Sequence, residues 1–539
     1  MRGSRSIPRG QRVGDVHLPD GRRMCHGEFV FRTLAVLAGL SLTTDLGTGA
    51  PLEESLKRCV VATRLARAVG CTDSEVRDVL YIALLQHLGC TAYSHETARV
   101  WGDDVVATRL AFLTDFSQPK DMLRTFVPGL AAATGTSRSR VLATAVTAGR
   151  RFSTDGPAAT CEVARDAARQ LGLPGSVQNG LFHGMAMWNG KGVPAAGGRD
   201  IPASCRIMQV AGTAVLFAVH AGAEAAVAEV RRRAGSYLDP HLAGVFVDRA
   251  GELLADLDHI DAYECVLDSE PDPVRRVDGE QSEALARTFG HLVDLKSPYL
   301  HGHSAGVGDL AAVAAAGLGL DEKVRTLRIA GYLHDVGRAG VSSRIWDKPG
   351  PLSVAERDQA RLHPYYSERI LSRVAHLADV AKLAGQHHER CDGSGYHRGA
   401  AAGQLSTASR LLAAADAYRT LVEGRPHRPA LSAQQAADRL RAEARSGCLD
   451  GEALASVLRA AGVAGGSRRT RPSGLTRRQI QVLRLMAEGL SNRDIARRLV
   501  ISPRTAEHHV QDIYVKIGAT SRAAAALYGM EHGLLDKPG

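Results

Sequence analysis

Apolar residues recur at i, i+3 and i+4 through most of the chain, the spacing of helices with one buried face. This pattern predicts helices over Phe29–Leu42, Leu52–Val69 and Glu75–Leu88. Strict apolar/polar alternation is scarce, and Gly and Pro mark the turns, so an all-α protein is expected. No apolar run reaches the ~20 residues that cross a bilayer. The longest near the start, LAVLAGL, ends within seven residues. The basic stretch Met1–Arg23 has no apolar core behind it and does not read as a signal peptide. Residues 1–27 are expected to form a disordered basic tail, with Met24 as an alternative start.

The pattern also repeats itself. SEVRDVLYIALLQHLG, ending at Gly89, matches EKVRTLRIAGYLHDVG, ending at Gly337, with Val76, Arg77 and Gly89 on Val324, Arg325 and Gly337 at an offset of 248. WNGKGVP from Trp188 matches CDGSGYH from Cys391 at an offset of 203. RIMQVAGTA matches RLLAAADAY one residue further out of step. In this alignment Ser55 stands for His303, Gln86 and His87 for His334 and Asp335, and Thr160 for His363. Gly184 and Met185 stand for His387 and His388, and Gly212 for Asp416. The drop in offset by 45 places an insertion of about that length in Asp103–Ala158. The first half, 28–267, therefore reads as a duplicate that kept its helices and lost its polar residues. An acidic segment, 268–279, joins it to a second half, 280–461. A Gly/Arg/Ser/Pro linker, 462–474, leads to a last module, 475–539.

Charge and cysteines sharpen this division. From Ser467 to Gly539 there are 13 Lys/Arg against 6 Asp/Glu, most of the chain's net +10. A compact basic module suits a polyanionic partner, foremost nucleic acid. The nine cysteines are scattered without a CxxC, which argues against a disulfide framework or zinc ribbon and for a reducing cytoplasm.

The polar residues missing from the first copy have a chemistry in common. His303, His334, Asp335, His363, His387, His388 and Asp416 lie on or beside helical segments of the second half. Imidazole and carboxylate hold borderline divalent metals. Seven such groups exceed one coordination sphere, so two adjacent ions are expected. Such a pair lowers the pKa of a water between the ions and stabilises charge on the attacked and leaving oxygens. Mixed ligation favours Fe, Mn, Co or Ni, with Zn or Mg as the remaining options.

The order GHS, HDVG, HP, HHERCDGSGY and Asp416 resembles the HD-GYP branch of the HD phosphohydrolase superfamily. The resemblance implies a helical bundle around a metal pair, and many members hydrolyse cyclic di-GMP. It assigns His303, His334, Asp335 and Asp416 to one ion, and makes Asp335 the bridge to a second ion on His363, His387 and His388. It makes Asp335 and Arg338 the catalytic residues. Arg338 stands where the family has Lys: it can neutralise phosphate but not donate a proton near neutral pH. The GYP of the family reads Gly395-Tyr396-His397 here. Tyr299 occupies the position where members with a third ion have Glu, so two ions are expected. Arg338, Arg390, Asp392, Gly393, Gly395 and Tyr396 are the expected substrate contacts. His301, His376, His220 and His241 match no ligand position.

The last module predicts four helices, Arg477–Glu488, Arg493–Leu499, Arg504–Ile517 and Ser521–His532. Ser502 and Pro503 suit N-cap and first helical position of the third. LTxRxxxVL…GxSNxxIAxxLxxSxxTxxxHVxxIxxKxG resembles the LuxR-type helix-turn-helix domain. The resemblance puts Arg504, Thr505, Glu507, His508 and Gln511 toward the major groove and Lys516 on phosphate. Glu507 stands where many members have Lys, so the target sequence does not transfer. The expectation is an all-α, cytoplasmic, homodimeric regulator of double-stranded DNA with no membrane association. Its central domain is expected to be a two-metal phosphodiesterase of a cyclic dinucleotide such as cyclic di-GMP. The alternatives are a non-hydrolysing nucleotide or metal sensor controlling DNA binding, and a phosphohydrolase of another nucleotide.

Overall fold

The computed structural model describes residues 31–116, 118–463 and 475–535, with backbone alone at 149–151 and 153. The predicted tail and nearly all of the 462–474 linker lie outside the described residues. Helices dominate. The three predicted near the start run Thr33–Gly47, Glu54–Ala68 and Asp73–Leu85. The third is fixed at its start by a capping box between Thr72 and Glu75. One departure from all-α is a two-residue antiparallel pairing of Phe31–Arg32 with Arg276–Val277. It lies partly in the segment 268–279, which is therefore built into the fold. Glu270 of this segment accepts from Arg32 Nε at 2.7 Å and from the buried Tyr81 hydroxyl at 2.9 Å.

The two halves are copies in three dimensions. A Cβ on Gly89 would lie 2.0 Å from the Thr160 carbonyl oxygen, and one on Gly337 would lie 2.1 Å from that of His363. Val193 N donates to Met185 O at 3.1 Å, and Tyr396 N donates to His388 O at 3.2 Å. One part of the alignment is corrected. Asp45 accepts from the backbone and hydroxyl of Ser55, as Asp294 does from Ser304. Ser55 thus corresponds to Ser304, and it is Glu54 that stands where His303 does. The reason is a first-copy helix of 15 residues, Glu54–Ala68, against 14 in His303–Ala316, which shifts the register by one.

The insertion forms the helices Asp104–Leu113 and Val127–Thr134 and the first part of Arg138–Gln170. It has a small core of its own around Trp101, Phe126, Val127 and Leu130. The helix Ala203–Ala221 is long and apolar enough to cross a bilayer by length and composition, against the sequence expectation. Ten of its residues are buried, and it packs on Glu54–Ala68 and Asp73–Leu85 as a core helix of the first half.

The C-terminal helices run Arg477–Ala487, Asn492–Leu499, Pro503–Ile517 and Arg522–Glu531. The side chains of Ser491 and Ser502 accept from Asp494 N and Thr505 N as N-caps, and Pro503 opens the third helix, as its missing N–H allows. This module does not stand apart. Arg522–Glu531 packs on Arg138–Gln170 of the first half and Gly279–Asp294 of the second, and its buried residues continue the core of the body. Glu162 Oε1 accepts from Thr520 N at 2.6 Å, and Gln170 donates to Glu531 at 3.1 Å.

Candidate metal centre

Four helix termini bring the seven polar residues together. His303 opens His303–Ala316, His334 follows Val324–Leu333, His363 opens His363–Leu371, and His387 follows Ala378–Gln386. Asp416 reaches in from the middle of Thr407–Val422. All but the half-buried His388 are buried. Asp335 lies between two sets of imidazoles. Its Oδ2 faces His334 Nε2 at 3.0 Å and His303 Nε2 at 3.6 Å, and its Oδ1 faces His363 Nε2 at 3.3 Å and His387 Nε2 at 3.5 Å. Asp416 spans as well, with Oδ1 3.3 Å from His303 Nε2 and Oδ2 3.6 Å from His388 Nδ1. Two clusters result, His303/His334/Asp335 and His363/His387/His388, each with ligand atoms within 4.8 Å of one another.

Hydrogen bonds at the far side of each ring fix which nitrogen faces inward. The Nδ1 atoms of His334, His363 and His387 lie 2.7, 2.5 and 2.5 Å from the carbonyl oxygens of Gly331, Ala360 and Ala384. A carbonyl only accepts, so each Nδ1 carries a proton and Nε2 is the nitrogen left to present a lone pair inward. His363 Nε2 and His387 Nε2 then face each other at 3.1 Å. Both Asp335 oxygens and the Nε2 atoms of His303 and His334 are buried without a hydrogen-bond partner. Buried polar atoms left without a well-formed hydrogen bond are costly unless a cation sits among them, so this set of imidazoles and carboxylates fits two divalent ions.

The proton affinities follow the same geometry. Burial lowers His363 to about 4 and also lowers His387 and His388. Burial opposes ionisation of Asp335 and Asp416, but Arg338 and His334 beside the first, and His303 and His388 beside the second, hold both well below the usual carboxylate range. His303 differs. Burial works against its protonated form, yet Glu423 and Asp416 raise it to about 9. A proton then occupies the place a cation takes.

Three residues that sequence reasoning missed complete the surroundings. Glu423 Oε2 accepts from His303 Nδ1 at 2.8 Å and pairs with Arg425 at 3.1 Å, while its Oε1 pairs with Arg419 at 3.0 Å. A carboxylate behind a ligating histidine orients it and raises its basicity. Glu423 lies seven residues after Asp416, just past the end of the helix Thr407–Val422, and that spacing of two turns could have pointed to it. Arg425 is held by the Tyr299 carbonyl and by Glu423. Trp346 lies under Arg338, whose guanidinium carbon is 4.8 Å from the ring centre, and meets His363 edge-on at 5.5 Å.

The expected substrate contacts divide. Arg338 Nε is 2.9 Å from Asp335 Oδ2, beside the centre. Tyr396 packs over His388 at 4.8 Å. Arg390 folds back onto the carbonyl of Glu389 at 2.9 Å, and Asp392 caps a turn by accepting from Ser394. Gly393 has φ +78°, and a Cβ on Gly395 would lie 2.5 Å from Arg390 N, so these glycines shape the loop. The buried Glu389 closes it by accepting from Arg398 N and Ala400 N, both at 2.8 Å. His397, in the place of the family proline, turns toward Glu368 at 3.7 Å. Of the histidines set aside, His301 is half-buried and lowered to about 4, first by loss of hydration around its ring and then by His95.

The first copy fills the same space with organic charge. Glu54 is gripped by Arg109 through two bonds of 2.8 and 2.9 Å. The buried Arg58 reaches the Ala83 carbonyl at 3.2 Å and His87 Nδ1 at 3.3 Å. A Cβ on Gly212 would meet Gln86 Oε1 at 3.2 Å and Arg58 Cδ at 3.6 Å.

In the C-terminal module Arg504, Thr505, Glu507, His508, Gln511 and Lys516 are all exposed on Pro503–Ile517, while Ala506, Val510 and Ile513 face the core. Lys516 Nζ lies 2.8 Å from Gln479 Oε1.

A helical bundle with a two-cluster His/Asp centre, joined to a helix-turn-helix, defines a metal-dependent phosphohydrolase of the HD superfamily fused to a DNA-binding domain. The family described as HD domain matches residues 287–453, and bacterial regulatory proteins of the luxR family match residues 473–528. A 3′3′-cGAMP-specific phosphodiesterase of Vibrio cholerae is 30% identical over 410 residues, 74% of this chain and 88% of that protein. A cyclic di-GMP phosphodiesterase of Pseudomonas aeruginosa is 37% identical over 153 residues, 28% of this chain and 37% of that protein. The crystal structure of a cyclic GMP-AMP-specific phosphodiesterase of Vibrio cholerae matches with a TM-score of 0.55 at 26% identity, covering 81% of this chain and 98% of that one. The chain belongs to the HD-GYP family of cyclic-nucleotide phosphodiesterases, and it carries a LuxR-type module that binds DNA.

Proposed function

We propose that the second half hydrolyses a 3′,5′-linked cyclic dinucleotide, with 3′3′-cyclic GMP-AMP and cyclic di-GMP as the leading substrates, and that this activity informs DNA binding by the C-terminal module. The observation that carries the reading is the Asp335 carboxylate with one oxygen toward each histidine cluster. His303, His334, Asp335 and Asp416 would hold one ion, and Asp335, His363, His387 and His388 the other. The divalent pair, when bound, supplies Lewis acidity toward a phosphate oxygen and a water. The chain's own residues do the rest. The carbonyl-bound Nδ1 atoms aim the Nε2 atoms of His334, His363 and His387 inward. Arg338 neutralises phosphate charge beside Asp335, and the leaving ribose oxygen takes its proton from water because a guanidinium keeps its own. Tyr396, over His388, offers a ring for base stacking.

The tandem arrangement favours cyclic GMP-AMP, because a relative aligned over 74% of this chain is named for that substrate. On DNA, two copies reading paired half-sites suit a module of this kind. Incubation with both cyclic dinucleotides and linear controls, with Mn or Fe, read by mass, tests the proposal. His334→Ala with Asp335→Ala abolishes turnover. Equal turnover by that variant would refute the site assignment.

A further inference from the structure

The metal-free half touches the other half beside the site, through the helix Thr33–Gly47 packed on Val336–Gly340 and through a buried carboxylate of the insertion. Asp104, in the insertion, is buried, and its carboxylate crosses the boundary between the copies. Its Oδ1 accepts from Ser343 N at 2.7 Å and from the Ser342 hydroxyl at 3.0 Å. Its Oδ2 takes the ammonium of the fully buried Lys296 at 2.5 Å. These contacts hold the start of the helix Ser343–Trp346. The residue after that helix is held from the same side, with Asp347 Oδ2 2.6 Å from His95 Nδ1. Its other oxygen accepts from Ser297 at 2.5 Å.

A four-residue helix has no stability of its own. Its geometry comes from its anchors, and two of them, Asp104 and His95, belong to the first half. Trp346 ends this helix, with Arg338 stacked on its face and His363 at its edge. We propose that Asp104 is a positioning residue for the phosphodiester chemistry, acting through Trp346 on Arg338, so that the half without metal ligands is a working part of the active site. This inference rests on the hydrolytic reading above. Arg338 has five donors on a long side chain, and stacking on a fixed indole sets where they point.

The test is a double-mutant cycle with an optical arm, on the full chain. Asp104→Asn is combined with Lys296→Met, so that no buried ammonium is left unpaired to unfold the protein. The pair of substitutions lowers kcat/KM on the cyclic dinucleotide about 10- to 100-fold, the effect of a misplaced catalytic group. Metal content per chain stays at the wild-type value. In an Arg338→Ala background the same pair costs less than about twofold more, because its route is already cut. With Trp101→Phe and Trp188→Phe as background, acrylamide quenching of Trp346 emission rises in the variant. Wild-type kcat/KM in the variant, full additivity with Arg338→Ala, or unchanged quenching each overturns the proposal. A wild-type protein that hydrolyses no cyclic dinucleotide overturns the hydrolytic reading and this proposal with it. Altered quenching would then still show that Asp104 holds Trp346.

Discussion

Glu423→Gln separates the two clusters without touching any of their atoms. The substitution keeps the shape and leaves an acceptor for His303 Nδ1, now 2.8 Å from a carboxylate oxygen, but removes the charge. A hydrogen bond to a charged group contributes about 1.5–3 kcal/mol when its partners are desolvated. His303 is fully buried and the Glu423 side chain is 17% exposed, so solvent replaces little of this. Loss of a carboxylate behind a metal-ligating histidine lowers metal affinity roughly 10- to 100-fold, about 1.4–2.7 kcal/mol. Both estimates give the same range, and they apply to the His303 cluster alone. The assay is metal content per chain along a chelator series. Wild type starts near two ions. The variant loses the first at a chelator concentration 10- to 100-fold lower and keeps the second, on His363, His387 and His388, as wild type does. Arg419 and Arg425 also lose a charged partner, so a thermal melt accompanies the titration. Equal displacement of both ions, or no displacement at all, would refute the division into two clusters.

Other outcomes follow from the same geometry. His303 sits at about 9 in the metal-free site and His363 at about 4, so ion uptake at the first cluster expels a proton and weakens about tenfold per pH unit on going down from 9. Uptake at the His363 cluster stays nearly flat from pH 6 to 8, and metal titrations at three pH values check both. Burial raises Asp45 to about 7, against a partial opposing pull from Arg58. The native state then binds a proton that the unfolded chain has released between about pH 4 and 7, so stability falls as pH rises through that window. Asp45→Asn removes the effect and gains on wild type by up to about 4 kcal/mol from pH 4 to 8; parallel urea-denaturation curves across that range would contradict it. Gln511→Ala weakens specific DNA binding by about 1–3 kcal/mol and leaves hydrolysis intact, measured by salt-matched binding and turnover on the same preparation.

Periodicity located three helices near the start and the four of the last module, because apolar spacing is set by the same burial that stabilises them. The seven inward-facing groups were legible for a related reason. The first copy shows what the scaffold looks like without them, as Gln86 and His87 stand in the places of His334 and Asp335. What escaped were relations that no local pattern encodes. A single added residue in Glu54–Ala68 slid Ser55 past the position assigned to it. Asp104 reaches the centre only across the two halves, and Trp346 only by a packing contact far from any ligand in sequence. Ala203–Ala221 did not register as a membrane-length segment because Arg206 and His220 interrupt its apolar run. Its burial comes from the helices packed on it, which its own composition cannot report.

The guanidinium of Arg58 at the heart of the first copy has a consequence for a cell short of metal. Its positive charge is covalent and permanent, whereas that of the second copy is borrowed from solution. Starvation for divalent ions would therefore strip one bundle and leave its twin unaltered, and the DNA-reading module leans on both. Hydrogen exchange under chelation should quicken around His334 and stay constant around Gln86, so that the first half serves as a fixed reference against which the second half registers its ions.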